Sequence, residues 1–91
     1  MPLLSEPEIT KHLGELKDWS RAGNEIRKTF QFRDFARAIG FTNSVALFAE
    51  KANHHPDIDI RWNKVTLALS THSAGGLTEK DFSLAKDINT L

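Results

Sequence analysis

Ninety-one residues suffice for one domain, spanning 1–91, whose limited core makes homo-oligomerisation a natural way to bury more surface. Twelve basic and 12 acidic side chains cancel, and no basic run is interleaved with aromatics, which argues against nucleic acid as a direct partner. With no cysteine there is neither a disulfide framework nor a thiolate metal site; with no apolar run near the roughly 20 residues of a membrane span, and no signal peptide in Met1-Pro2-Leu3-Leu4, the expectation is a soluble, cytoplasmic protein.

Ser5-Glu6-Pro7-Glu8 reads as a capping box, with Leu4 and Ile9 placed as a hydrophobic staple. Ile9, Leu13 and Leu16 continue as the stripe of a short amphipathic helix, and His12 lies off it as a solvated residue. Asp18 to Ala22 reads as a strand around Trp19, Gly23-Asn24 as a turn, and Glu25 to Phe32 as a strand with Ile26, Phe30 and Phe32 on one face. Lys28 interrupts that face, so it belongs near an edge or lays its stem on the core with the amine in water.

Asp34 is the expected N-cap of the longest helix, ending near Asn53. Its core stripe is Ala38, Phe41, Val45, Phe48 and Ala52, widened by Phe35 and Ala49. Gly40 inside it suggests a close approach by a neighbouring element. His55 precedes Pro56, and the residue before proline disfavours the helical region, so His54 and His55 fall at a helix–strand join. Ile58, Ile60 and Trp62 then alternate with charged residues, and Val65, Leu67 and Leu69 alternate with Thr66, Ala68 and Ser70.

With Asn63-Lys64 as a two-residue turn, Trp62 lies opposite Val65, Ile60 opposite Leu67 and Ile58 opposite Leu69. The same register sets His55 opposite His72, with His54 beside them. Ser73 to Gly76 reads as a flexible turn. Thr78 and Asp81 form a second capping box, with Leu77 and Phe82 as its staple, before a last helix bearing Leu84, Ala85, Ile88 and Leu91. The order α-β-β-α-β-β-α implies an α+β two-layer sandwich: a four-stranded antiparallel sheet with three helices on one face.

Three of the four histidines thus gather at one end of a hairpin, and imidazole suits proton transfer near neutral pH. Glu50, His54, His55, Pro56, Trp62, His72 and Asp81, at their spacings, resemble the motif of the pterin-4a-carbinolamine dehydratases. The likeness extends to Trp19, the Phe30-to-Phe35 segment, Ala49-Glu50-Lys51 and Gly75 to Thr78. The resemblance implies the same fold, a homodimer or homotetramer, and no cofactor.

It also implies dehydration of a 4a-hydroxytetrahydropterin to a quinonoid dihydropterin, in recycling the tetrahydrobiopterin of aromatic amino acid hydroxylases. By resemblance His54 and His72 are the acid/base pair, with the two roles undivided, and His55 positions substrate. Glu50, one helical turn before His54, would orient it; Asp81 is either a cap or a support of the site; Ser70 and Thr71 lie near the pterin, offering backbone groups. Asn53 departs from the family, where an acidic residue is common.

Two other readings compete. Three histidines with Glu50 or Asp81 suggest zinc, but adjacent His54 and His55 point to opposite sides of an extended chain, so no metal is expected. A binding module is the other, since animal members of the resembled family also serve as dimerisation cofactors for a homeodomain transcription factor; the intact histidines favour the enzyme.

Overall fold

Each helix begins where a side chain can hold its first free amide groups. Ser5 Oγ accepts from the Glu8 amide at 3.3 Å while Glu8 Oε1 accepts from the Ser5 amide at 2.8 Å, which starts α1 (Glu6–Glu15). Asp34 Oδ1 accepts from the Arg37 amide at 2.8 Å and starts α2 (Phe35–Ala52). Thr78 and Asp81 form the second complete capping box and start α3 (Glu79–Ile88). These termini come from a computed structural model, which describes residues 2–91; Met1, the first residue of the segment weighed as a signal peptide, lies outside the described residues.

Between the helices run β1 (Ser20–Ala22), β2 (Glu25–Gln31), β3 (Asp57–Arg61) and β4 (Lys64–Leu69). They form one antiparallel sheet in the order β1-β2-β4-β3, so the expected α+β order and sheet are both present. Ile26, Val65, Leu67 and Leu69 line one sheet face and pack with Ile9, Val45, Phe82, Leu84 and Ile88 from the three helices. The opposite face carries Arg27, Thr29, Asp59 and Thr66. The apolar residues of the strands are thus drawn to one side by their period of two.

The β3–β4 register differs from expectation by two residues. Ile58 pairs with Leu67, Ile60 with Val65 and Arg61 with Lys64, so the turn is Trp62-Asn63. Alternation fixes only which face a residue takes, and a shift of two leaves every face unchanged. The deciding contacts lie on the neighbouring strand. Asn63 Nδ2 donates to the Phe32 carbonyl at 2.8 Å, and the Phe32 amide donates to the Asn63 carbonyl at 2.8 Å, so Asn63 extends the pairing with β2. Trp62, not Asn63, takes the left-handed conformation, φ 53°, and its side chain is 70% exposed instead of facing Val65.

Other expectations shift for the same kind of reason. Trp19 is buried just before β1, where its indole Nε1 donates to Asn89 Oδ1 at 2.9 Å. Lys28 Nζ reaches the same oxygen at 2.9 Å and the Lys17 carbonyl at 3.2 Å; burial pushes its amine below the ordinary lysine range, with the Asp18 carboxylate opposing. His12 is not simply solvated: its ring stacks on Phe82 at 5.0 Å and Nε2 donates to Glu79 Oε1 at 3.2 Å, linking α1 to α3.

On α2, Ala38, Val45 and Ala49 are buried, and Phe41 and Phe48 pack against the core, but Phe35 and Ala52 at its two ends are exposed. No element approaches Gly40; a Cβ built there meets nothing within 4 Å. Gly40→Ala is therefore expected to stabilise the chain by up to about 1 kcal/mol, seen as a rise in Tm of about 4–8 °C. A fall in Tm would show instead that this helix face is packed in solution.

Candidate active site

The histidine cluster is built by the way α2 ends. Asn53 adopts the left-handed conformation, φ 50°, and the His54 amide donates back to the Ala49 carbonyl at 3.0 Å. This is the hydrogen bond that closes a Schellman turn, and asparagine tolerates the left-handed cap better than most side chains. The turn reverses the chain, so Glu50 and His54 no longer stand one above the other as they would on a continuing helix. Glu50 Oε2 instead accepts from His55 Nε2 at 2.5 Å, where both side chains are exposed. The expected Glu50–His54 pair is replaced by Glu50–His55.

The partner of His54 comes from the far side of the core. Its Nε2 donates to Asp81 Oδ1 at 2.6 Å, with both residues buried. Asp81 Oδ2 accepts from the Thr78 amide at 2.9 Å and from Thr71 Oγ1 at 2.9 Å. The Thr71 and Thr78 hydroxyls are 2.8 Å apart. Asp81 therefore caps α3, as its sequence position suggested, and the same carboxylate holds His54. A buried carboxylate is tolerable here because each of its oxygens accepts hydrogen bonds. With the Asp81 carboxylate as acceptor, His54 Nε2 carries the hydrogen of this bond, and Nδ1 has no hydrogen-bond partner among the described residues.

His72 falls beyond the end of β4, in a single 3₁₀ turn (His72–Ala74), where a flexible turn was expected. This turn is held by an isolated bridge between Thr71 and Gly76, with Gly75 at φ 80°. Thr71 uses its amide to donate to the Gly76 carbonyl at 2.9 Å, and its own carbonyl accepts from Ala74 and Gly75 at 3.0 Å each. Of the backbone groups expected near the pterin, those of Thr71 are thus engaged inside the loop. The His72 carbonyl accepts from the Gly75 amide at 3.1 Å, but its exposed side chain has no hydrogen-bond or ion-pair partner among the described residues. With the register shifted by two, the pairing continued outward from Asp57 and Ala68 sets His55 across from Ser70, and His72 lies two residues beyond Ser70.

All three histidines nevertheless line one cleft of about 260 Å³, with Asn53, Ser70, Thr71 and Lys80. Lys80 was not expected there. Its signal was available in the sequence, since it immediately precedes Asp81 in the first turn of α3; among the described residues it is the one cation lining this cleft. The second unexpected member, Asn53, enters because the left-handed cap turns it toward the same end of the sheet. His54 and His55 diverge, one to buried Asp81 and the other to exposed Glu50. Among the described residues no three or more His, Asp or Glu side chains are grouped to hold a metal ion.

A buried His–Asp pair opening on a cleft with a second, unpaired imidazole can exchange protons with a bound ligand from two directions. Comparison with known proteins gives that arrangement a context. A protein of Roseiflexus castenholzii named as a pterin-4-alpha-carbinolamine dehydratase is 62% identical over 89 residues, covering 98% of this chain and 96% of its own. One of Sulfolobus acidocaldarius with the same name is 47% identical, covering 97% of each. The crystal structure of a transcriptional coactivator/pterin dehydratase from Brucella melitensis superposes with a TM-score of 0.92 at 38% identity, covering 97% of this chain and 96% of that one. The family model for pterin 4 alpha carbinolamine dehydratase matches residues 2–91, and with the histidine cleft in place the chain belongs to that family.

Proposed function

We propose that this chain, acting as one domain over residues 1–91, dehydrates a 4a-hydroxytetrahydropterin to a quinonoid dihydropterin and water. The observation that carries the reading is the buried His54–Asp81 pair on a cleft shared with His55 and His72. In the substrate, carbon 4a bears both the hydroxyl and ring nitrogen N5. Protonation of the leaving oxygen breaks the C4a–O bond, the N5 lone pair forms the C4a=N5 double bond, and the N5 proton passes to a base. His54 and His72 supply the acid and the base between them; a coupled pair need not divide the roles permanently. His55, tethered to Glu50, positions the ring, and Asp81 holds the His54 tautomer. Ser70 offers the ring its polar groups more readily than Thr71, whose amide and carbonyl are engaged. Each well-placed acid or base is worth roughly 10²–10⁴-fold, and the scheme uses no metal or redox cofactor.

The substrate arises where an aromatic amino acid hydroxylase oxidises tetrahydrobiopterin, which places the reaction in the recycling of that cofactor, in the cytoplasm. No helix among the described residues is long and apolar enough to cross a membrane. A homodimer or homotetramer is supported by exposed Phe35, Ile39 and Leu47 along one stripe of α2, by exposed Ile58 on edge strand β3 and by exposed Trp62 in the turn after it. The test is the loss of chemically generated 4a-hydroxytetrahydropterin, followed with and without the protein. Acceleration is expected. Folded protein with no effect would overturn the assignment and favour a binding module.

A further inference from the structure

The histidine cleft continues past His72. A second hollow of about 340 Å³ is lined by Asn24, Glu25, Ser70, His72 and Gly75, so it shares Ser70 and His72 with the first. The strand register explains the join. Ile26 pairs with Leu69, which makes Glu25 and Ser70 the next residues outward on neighbouring strands, on the sheet face of Arg27 and Ala68. From the other side, the turn at Gly75 brings Gly76 against the β1–β2 hairpin, where a Cβ on Gly76 would lie 3.8 Å from Asn24 Oδ1.

The second hollow is polar, and its carboxylate is under-used. Among the described residues the Glu25 carboxylate accepts no hydrogen bond; only Arg27 Nε comes within ion-pair range of its Oε1, at 3.4 Å. The side chain is 30% exposed, so it is accessible yet partly shielded from bulk water. Resting on the dehydratase reading, we infer that this hollow receives the substituent on carbon 6 of the pterin and that Glu25 selects a neutral, hydroxylated chain.

Covalent geometry supports the placement. Carbon 6 is bonded to N5, and N5 to the reacting carbon 4a, so the substituent leaves the ring beside whichever histidine serves that centre. His72 is the histidine that borders both hollows. A hydroxylated chain there donates to the free carboxylate oxygen, a charge-assisted bond. A methyl group leaves Glu25 and Asn24 to water, and an anionic chain meets the carboxylate as a like charge. Lys80 lines the histidine cleft but not this hollow, and Arg27, which does not line it either, meets Glu25 at Oε1 and offsets that repulsion only in part.

The experiment compares kcat/KM for the 4a-carbinolamines of 6-dihydroxypropyl- and 6-methyl-tetrahydropterin. The unaltered protein is expected to prefer the hydroxylated substrate by about tenfold, as a hydrogen bond to a charged group allows. Glu25→Ala brings the ratio to within about twofold of one, and Glu25→Gln, which keeps a carbonyl acceptor, retains part of the preference. Equal ratios in the unaltered protein and Glu25→Ala would overturn the inference. Binding of the two unreactive 7,8-dihydropterins with these substituents separates the inference from the reaction. A preference that Glu25→Ala abolishes supports the subsite even without turnover, and no preference overturns it.

Discussion

His54→Ala and His72→Ala are each expected to lower kcat/KM for the carbinolamine by roughly 10²–10⁴-fold, the range for loss of a placed general acid or base. Their effects on stability should differ sharply. The His72 side chain is exposed and, among the described residues, unpaired, so its truncation should stay within about 0.5 kcal/mol. His54 is buried and donates to Asp81 at 2.6 Å. Its removal leaves a buried carboxylate oxygen without its donor, at about 1–3 kcal/mol. The double variant should fall well short of the product of the two rate losses, because the groups act on one transition state. Measuring kcat/KM and thermal unfolding on the same samples tests this. Full activity in either folded single variant would remove that histidine from the acid/base pair.

Asp81→Asn is expected to reduce both activity and stability. The substitution preserves shape but replaces one acceptor oxygen with a donor, where His54 Nε2, Thr71 Oγ1 and the Thr78 amide all now donate. If the amide nitrogen faces the ring, Nε2 must become the acceptor and the hydrogen moves to Nδ1, the atom needed for proton exchange. Activity should then fall within the same roughly 10²–10⁴-fold range as loss of the histidine. Losing a hydrogen bond to a charged acceptor adds about 1.5–3 kcal/mol of destabilisation. A lowered Tm with unchanged kcat/KM would reduce Asp81 to a helix cap. Unchanged values of both would contradict the geometry of the site itself.

Local sequence determined a large share of this protein. Ser5, Asp34 and Thr78 start the three helices because each can bond amide groups a few residues away, and such contacts need no knowledge of the rest of the fold. Alternation in Ile58 to Leu69, and in Glu25 to Phe32 with Lys28 as its one interruption, placed the apolar side chains other than Trp62 on one sheet face. The histidine spacing pointed to one end of the β3–β4 hairpin, and His54, His55 and His72 do share a cleft there.

What the tertiary structure alone decided are the choices that a periodic pattern leaves equal. A two-residue register shift keeps every face, so contacts with Phe32 on β2 selected the Trp62-Asn63 turn. Order of strands is likewise absent from alternation: β3 lies at an edge, which leaves Ile58 exposed despite its apolar character, while Trp62 is exposed in the turn. The pairing of carboxylates with histidines followed from the left-handed cap at Asn53. It broke the helical spacing from Glu50, turned His54 into the core, and left Glu50 to His55. Asp81 stands 27 residues from His54 along the chain, and only the packing of α3 against α2 brings them within hydrogen-bond distance. Local bonds are written in neighbouring residues, whereas these long-range ones depend on how completed elements pack.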